Sequence, residues 1–171
     1  MPNFVDKFLK AEVDTTMTPH LAFVVSLLYM IASDGVIQNE EIGQLLAVLG
    51  GEEGPDGEVM VGEYNERLLR SAQAYVEGHN VEEFLKEANP LLLDVHKMAI
   101  LVNICDSLLS DGKAEAAEQA LFYKFLQAFG VTEERFQPFF EVLILKNDRT
   151  VFSYANHPKC RSDYTVTYYP S

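Results

Sequence analysis

The sequence predicts an all-α protein, a bundle of about seven helices in two pseudo-symmetric halves, followed by an irregular C-terminal tail. Apolar residues recur at helical spacing along most of the chain. Capping and breaking residues divide it into segments of helical length. A Ser-Asp-Gly triplet occurs twice, each time after a strongly apolar segment. The 171 residues, 48% of them hydrophobic, suit one compact domain with a sizeable core.

The first half opens with a central helix. Thr18-Pro19 is a typical helix start, because threonine caps free amides and proline fits the first helical position. The segment from Leu21 to Ala32 is apolar nearly all round, which predicts a buried helix that ends at Ser33-Asp34-Gly35. A second helix is predicted from Glu40 to Leu49, and it stops at Gly50-Gly51.

An acidic link, EEGPDG at 52–57, separates this pair from the next helices. Beyond the link, helical spacing to Gly78 is indicated by Met60, Tyr64, Leu68, Ala72 and Tyr75. Asn80 and Glu83 form a capping-box pattern that predicts a short helix to about Ala88.

The second half repeats the plan of the first. Asn89-Pro90 predicts the start of a helix that continues to Ser110-Asp111-Gly112. Another helix is predicted from about Ala114 to Phe129, where Gly130 ends it, and Thr132 caps the last one. Residues 1–146 are therefore predicted to form the helical domain.

Residues 147–171 are predicted to form an irregular, tyrosine-rich tail that packs on the helical domain. Within it, Tyr164 to Tyr169 alternates like a short strand. The tail tyrosines are expected to dock on the protein's own core. The alternative is contact with a partner or with a second subunit.

The two Asp-Gly corners carry the candidate functional residues. Asp34 and Asp111 lie 77 residues apart, and Glu41 and Glu118 each follow the aspartate by seven residues. A carboxylate at the end of a helix opposes the helix dipole by up to about 1 kcal/mol, and a bound cation reverses that penalty. The four side chains are therefore candidate ligands of a divalent metal ion. The alternative is structural, because Asp-Gly is a common turn pair.

The two stretches IASDGVIQNEEIGQLLAVLG and LLSDGKAEAAEQALFYKFLQAFG resemble the TerB family of tellurite-resistance proteins. The resemblance covers about residues 18–146. It implies a helical bundle in pseudo-symmetric halves, a role in tellurite or chemical-stress resistance, and an acidic cluster that binds metal. The sequence departs from the family where Gln38 and Glu115 replace the usual helix-capping residue.

How the halves meet decides whether the corners form one site. Packing of the two central helices about a pseudo-twofold axis would crowd the four carboxylates into one patch, which requires a cation or raised pKa values. With antiparallel packing, His20 would instead approach Asp111 and His96 would approach Asp34, giving mixed sites suited to zinc. A backbone-bonded histidine is the ordinary alternative.

Other candidate residues lie outside the corners. His157 and Cys160 form an HxxC pair in the tail, a conceivable nucleophile and base or half of a metal site. Asp106, among apolar residues, is either a polar anchor or a group that supports the second corner. No EF-hand, HExxH, nucleotide-binding or GxSxG motif is found in the sequence.

Charge restricts the classes of partner. The 26 acidic and 13 basic residues give a net charge of −13, which disfavours direct binding to nucleic acid and favours cations and basic protein surfaces. Neither Cys105 nor Cys160 belongs to a CxxC pair, and no signal peptide or spanning segment is recognised, so a cytoplasmic location is expected.

These observations favour a non-enzymatic stress-response protein that binds a divalent metal ion and engages a protein partner. A membrane-associated protein is one class of partner that fits this expectation. A homodimer is compatible with the sequence. The alternatives are a metal-dependent hydrolase, in which an acidic corner activates water, and a metal-free interaction module.

Overall fold

A computed structural model of the chain describes residues 13–34, 45, 47–50, 52–53, 59–60, 63–110 and 115–166. Contacts within the chain divide it into two compact units, Met1–His96 (unit 1) and Lys97–Ser171 (unit 2). Seven α-helices have their bounds within the described ranges. The prediction of an all-α bundle of about seven helices is confirmed.

Helix α1, Pro19–Ile31, is the core of unit 1. The Thr18 hydroxyl accepts a hydrogen bond from the Leu21 amide at 3.1 Å, as predicted for the cap. Most of the helix is buried, including Ser26, whose hydroxyl donates to the Ala22 carbonyl at 2.7 Å. The local bond explains how one hydroxyl is tolerated inside an apolar helix. A short 3-10 turn, Ala32–Asp34, follows α1.

The acidic link differs from its prediction. Glu52–Glu53 (β1) and Val59–Met60 (β2) form a two-stranded antiparallel sheet with two residues in each strand. Met60 therefore belongs to a strand and not to the next helix, although its spacing from Tyr64 fits a helix. Before the link, Gly50 has φ 81°, which fits the predicted end of the second helix.

Helices α2, Glu63–Gly78, and α3, Val81–Ala88, complete the described part of unit 1. Both pack against α1. The Asn80 side chain accepts from the Glu83 amide at 3.0 Å, and the Glu83 carboxylate accepts from the Asn80 amide at 2.9 Å. The predicted capping box is therefore confirmed.

Helix α4, Asp94–Leu109, begins later than predicted. Asn89–Leu91 forms a separate 3-10 turn, and Leu92 is extended with ψ 125°. Pro90, a residue type that suits the start of a helix, belongs here only to this short turn. Helices α5, Ala116–Phe129, and α6, Glu133–Asn147, follow. Gly130 takes the left-handed conformation, and the Thr132 hydroxyl caps α6 through the Arg135 amide.

The internal repeat is visible in the burial of α1 and α4. At an offset of 77 residues, four pairs of equivalent positions are buried: Val24 and Leu101, Leu27 and Ile104, Leu28 and Cys105, and Ile31 and Leu108. The same positions of each repeat therefore contribute to apolar packing.

The tail contains a four-residue helix, α7, Thr150–Ser153, and a 3-10 turn, Pro158–Cys160. The described part of the predicted strand, Tyr164 to Val166, is not a strand, and residues 167–171 lie outside the described part. Tyr154 and Tyr164 are exposed, so these two rings are not buried in the core, and Tyr168 and Tyr169 lie outside the described residues. Polar contacts hold this segment instead.

Candidate functional site

The first Asp-Gly corner follows α1 directly. Asp34 is the last residue of the 3-10 turn. Beside it, the hydroxyl oxygen of Ser33 is buried and has no hydrogen-bond partner among the described residues. Such a buried polar atom costs about 1–3 kcal/mol when it is left unpaired. The side chain of Asp34 and the whole of Glu41 lie outside the described residues.

The second corner uses its polar groups differently. The Ser110 hydroxyl, equivalent to that of Ser33, donates to the Ser107 carbonyl at 2.8 Å. Glu118 accepts a hydrogen bond at Oε2 from the Glu115 amide at 2.8 Å. Glu118 therefore caps a free amide at the start of α5. Asp111 lies outside the described part of the chain, so Glu118 is the one corner carboxylate whose side chain is described.

The two histidines near the central helices have partners within unit 1. Nδ1 of His20 lies 3.1 Å from the Tyr64 hydroxyl oxygen. Nδ1 of His96 accepts from the Leu93 amide at 3.2 Å. The proton of a neutral His96 ring is therefore on Nε2. The predicted pairings of these histidines with the corner aspartates involve side chains that lie outside the described residues.

The HxxC pair in the tail holds the chain and does not form a catalytic pair. Nδ1 of His157 accepts from the Lys159 amide at 3.1 Å, and Nε2 lies 3.3 Å from Oδ2 of Asp148. The Cys160 thiol donates to the Val151 carbonyl at 3.1 Å. Both ring nitrogens and the thiol are thus engaged with other groups. The hypothesis of a nucleophile and its base is wrong for this geometry.

Asp106 is a polar anchor within unit 2. Its carboxylate accepts hydrogen bonds from Lys146 and from Nδ2 of Asn147, the latter at 2.8 Å. Partial burial acts to raise the pKa of Asp106. Together, the two hydrogen bonds and the Lys146 charge outweigh burial and hold the pKa below its usual value. The first of the two predicted roles for this residue is therefore the one found.

Sequence patterns gave no indication of a groove between α4, α5 and α6. Its volume is about 290 Å³, close to the roughly 300 Å³ at which small-ligand pockets begin. The lining is mainly aliphatic and aromatic, with Leu108, Phe122, Leu126, Phe136 and Phe140. The rings of Phe122 and Phe136 contact each other at 5.3 Å between centroids. Helical periodicity marks these residues only as apolar, which also fits a closed core.

Polar side chains also line this groove. Gln119, Glu133 and Gln137 contribute to it, and Tyr123 adds a ring that is 53% exposed. Glu133 is in the first turn of α6, where a carboxylate is favoured by the helix dipole. The groove therefore combines apolar surface with hydrogen-bonding groups and one carboxylate.

The net charge is very unevenly divided between the units. Residues 1–96 contain five basic and 17 acidic residues, a net charge of −12, whereas residues 97–171 contain eight and nine, a net charge of −1. The groove thus belongs to a nearly neutral segment. Attraction of cations and basic surfaces, expected from the overall charge, is concentrated in the sequence of unit 1.

The described residues bear on both metal binding and membrane insertion. They contain no group of three or more His, Cys, Asp and Glu side chains placed to hold a metal ion. None of their helices has the length and apolar character to cross a bilayer.

Comparison with known proteins adds no relative. No protein-family model, no curated protein and no solved structure matches the chain. The relation to the TerB family remains a resemblance carried by the two Asp-Gly stretches.

Proposed function

We propose that the protein is a non-enzymatic, TerB-like stress-response protein that acts by binding a partner protein through the groove of unit 2. The observation that carries this proposal is the groove itself, lined by α4, α5 and α6. Its occupant would be an amphipathic helix of the partner, with a basic residue that reaches Glu133.

The chemistry of the lining favours a helix as occupant. Amphipathic helices insert apolar residues at spacings of three and four into hydrophobic grooves. Half-buried Phe140 and exposed Tyr123 offer aromatic surface of the kind that dominates binding energy in such contacts, above a floor of buried Phe122 and Phe136. The Glu133 carboxylate supplies charge complementarity, which contributes to orientation and association rate.

A model peptide tests the groove directly. We would titrate the isotope-labelled protein with a short helical peptide of leucine and lysine and follow its NMR spectrum. Shifts are expected at Leu126, Phe136 and Phe140. Tyr123→Ala should weaken binding by about tenfold, because it removes an exposed aromatic contact. Gln127→Ala is the matched control, because this exposed residue of the same helix does not line the groove.

The acidic residues of unit 1 provide the competing result. A basic peptide attracted only by charge would shift residues of unit 1, bind equally well to Tyr123→Ala, and dissociate as salt is added. That outcome would overturn the groove as the binding site. Equal weakening by both substitutions would also contradict it.

A second proposal is a divalent cation at the Asp-Gly corners, with Asp34, Glu41, Asp111 and Glu118 as ligands. The matched burial of α1 and α4 supports equivalence of the two corners. The buried Ser33 hydroxyl, which has no hydrogen-bond partner among the described residues, adds an oxygen that a hard cation would accept as a ligand. Glu118 would bind the cation through its other carboxylate oxygen while Oε2 caps α5. Otherwise the hydrogen bond from the Glu115 amide would have to break.

Thermal unfolding with and without chelator tests this cation site. A metal bound only to the folded protein stabilises it by about 2.7 kcal/mol at one hundred times its Kd. Calcium, magnesium, manganese and zinc should be compared on the wild type and on Asp34→Asn with Asp111→Asn. A melting temperature that does not change when metal is added, or that shifts equally in the double variant, would contradict the cation site. The metal-free interaction module would then be favoured.

The stress-resistance and hydrolase hypotheses need separate measurements. Expression in a tellurite-sensitive bacterium should restore growth if the family resemblance extends to function, and the double aspartate variant should not restore it. A hydrolase panel with added metals tests the enzyme alternative. Activity that Asp34→Ala abolishes would favour the enzyme over the binding proteins proposed above.

A further inference from the structure

The edge of the groove that α6 forms presents acceptors of hydrogen bonds. Glu133 and Gln137 both line the groove, and both are exposed. They are four residues apart in α6, so their side chains are neighbours on one side of the helix. Among the described residues, the groove lining includes no lysine, arginine or histidine. A ligand that lies along this edge therefore meets a carboxylate and, one turn further on, an amide.

Glu141 determines how the Gln137 amide is oriented. Nε2 of Gln137 donates a hydrogen bond to Oε1 of Glu141 at 3.0 Å. An ionised carboxylate can only accept hydrogen bonds, so the amide must turn its NH2 group towards Glu141. The carbonyl oxygen of Gln137 consequently points away from Glu141, and no donor for it is found in the described part of the chain. This oxygen is the part of Gln137 that is left for a ligand.

The edge can therefore match two donors of a bound helix. A lysine or arginine that reaches Glu133 satisfies the first acceptor through a charge-assisted hydrogen bond. If an apolar residue of the bound helix covered Gln137, the carbonyl oxygen would lose water without gaining a partner, which is unfavourable. A donor one turn from the first avoids that loss. The negative charge of Glu141, next to the Gln137 amide, favours a cationic donor at this second position.

We infer that the groove recognises helices that carry two basic residues one turn apart, and that Gln137 selects for the second of them. This inference rests on the proposed function, because it specifies the partner helix of the same groove. One basic residue pairs with the Glu133 carboxylate. The other, three or four positions away, donates to the Gln137 carbonyl oxygen. Glu141 is a positioning residue, since it orients Gln137 and does not itself line the groove.

Two helical leucine-lysine peptides of identical composition test this inference. In the first peptide the two lysines are four positions apart, and in the second one lysine is moved so that they are two positions apart. Residues two positions apart do not face the same side of a helix, so only the first peptide can offer both donors to α6. The net charge of the two peptides is the same. The wild type should bind the first peptide with a Kd about tenfold lower, as expected for one more hydrogen bond to a charged donor.

Four variants of the protein locate the origin of this preference. Gln137→Leu should bind both peptides with nearly equal Kd, because the acceptor is absent. Glu141→Ala should lose most of the preference, whereas Glu141→Gln should keep most of it, because a glutamine side chain still offers an oxygen to Nε2. Glu134→Ala is the matched control, since it removes a charge from an exposed residue of α6 that does not line the groove. The two Kd values are compared within each variant, so a change in stability does not alter the result.

The outcomes separate this inference from the proposed function. Equal Kd values of the two peptides for the wild type, with NMR shifts at Leu126, Phe136 and Phe140, would overturn the inference and leave the groove as a binding site for helices. A preference that Glu134→Ala removes as fully as Gln137→Leu would also overturn it, because charge alone would then explain the preference. Absence of shifts at the groove with either peptide would contradict the proposed function, and the inference with it.

Discussion

Asp106 and Asn147 join two helices of unit 2 that are far apart in sequence. Nδ2 of Asn147, the last residue of α6, donates to Oδ1 of Asp106 in α4 at 2.8 Å. Nδ2 also donates to the Leu143 carbonyl at 3.0 Å, which orients the amide. Lys146 donates to the other carboxylate oxygen. The end of α6 is therefore fixed to α4 by a charged network.

Asp106→Asn should destabilise the protein by about 1 kcal/mol at neutral pH, because it removes the charge that these bonds recognise. The expected loss of stability is modest because the side chain of Lys146 is 60% exposed. Since folding lowers the Asp106 pKa from 3.8, its contribution is present above pH 3.8 and disappears as pH falls through the lower, folded-state value. Urea unfolding of wild type and variant should therefore converge in acid.

Asp163→Asn is the control for this measurement. Asp163 pairs with Arg161 two residues away, and both side chains are about two-thirds exposed. Its substitution should change stability by less than about 0.5 kcal/mol. Equal destabilisation by both substitutions would contradict the anchoring role of Asp106.

Tyr29 should make unit 1 sensitive to alkali. Its hydroxyl donates to the His79 carbonyl at 2.7 Å. Burial, followed by the charges of Glu83 and Glu82, raises the pKa of Tyr29 from 10.0 to about 12. The contribution of this group to the free energy of unfolding is complete below pH 10 and is lost as pH rises towards 12.

Tyrosinate absorbance during alkaline titration checks this prediction. Tyr29→Phe should remove one late-titrating component and leave that of Tyr75, whose pKa burial and the hydrogen bond to Glu87 also raise. The variant should lower stability by about 1 kcal/mol at neutral pH through loss of the hydrogen bond. Tyr154→Phe is the control, because Tyr154 is 57% exposed. A titration curve that changes equally in both variants would show that Tyr29 is not protected.

Sequence patterns predicted the helices well where a cap and a periodic segment coincide. The structure contains the predicted capping box of Asn80 and Glu83 and the predicted helix cap at Thr132, because these signals are local. The pairing of Glu52–Glu53 with Val59–Met60 was missed, since two-residue strands leave almost no periodicity. The prediction that a long helix starts at Asn89-Pro90 was wrong for a related reason. A proline marks the start of a helical turn but does not determine how long the helix is.

The candidate sites were less predictable than the helices. The capping role of Glu118 follows from its place in the first turn of α5. The groove depends on which apolar residues other helices cover, and helical spacing alone contains no such information. Likewise, the partners of His157 and Cys160 come from Asp148 and Val151, whose proximity is set by the path of the tail.

The two cysteines should differ strongly in reactivity. Cys105 is only 1% exposed, and burial, with a smaller contribution from the Asp106 charge, raises its pKa to about 12. The thiolate is the reactive form, so Cys105 should stay unmodified at neutral pH. Exposed Cys160 should react. A thiol reagent should therefore modify one cysteine in the folded protein and two in denaturant.

Cys160→Ser checks the assignment of that reaction. The folded variant should show almost no reaction, whereas Cys105→Ala should react like the wild type, provided that it retains a cooperative unfolding transition. Rapid modification of folded Cys160→Ser would contradict the protection of Cys105. It would also indicate that the groove which Cys105 lines opens more readily than its burial implies.

Asp148 should determine whether the tail stays ordered between α7 and Tyr164. The Thr150 hydroxyl donates to Oδ1 at 2.5 Å, and Lys159 and His157 both lie 3.3 Å from Oδ2. The Thr150 hydrogen bond first, with further contributions from Lys159 and His157, lowers the pKa of Asp148 below 3.8 despite some opposition from burial. One carboxylate thus connects both ends of this segment.

Asp148→Ala should therefore speed hydrogen exchange at the amides of His157 and Cys160, which donate to Tyr154 and His157 carbonyls at 3.0 and 2.9 Å. Exchange in the core of α4 should not change, because the loss is local. In the wild type, the same acceleration should appear as pH falls below 3.8, after correction for intrinsic exchange rates, since protonation removes the charge. Asp163→Ala serves as the control. Unchanged protection in Asp148→Ala would show that Cys160 and its thiol bond to Val151 hold the tail without the carboxylate.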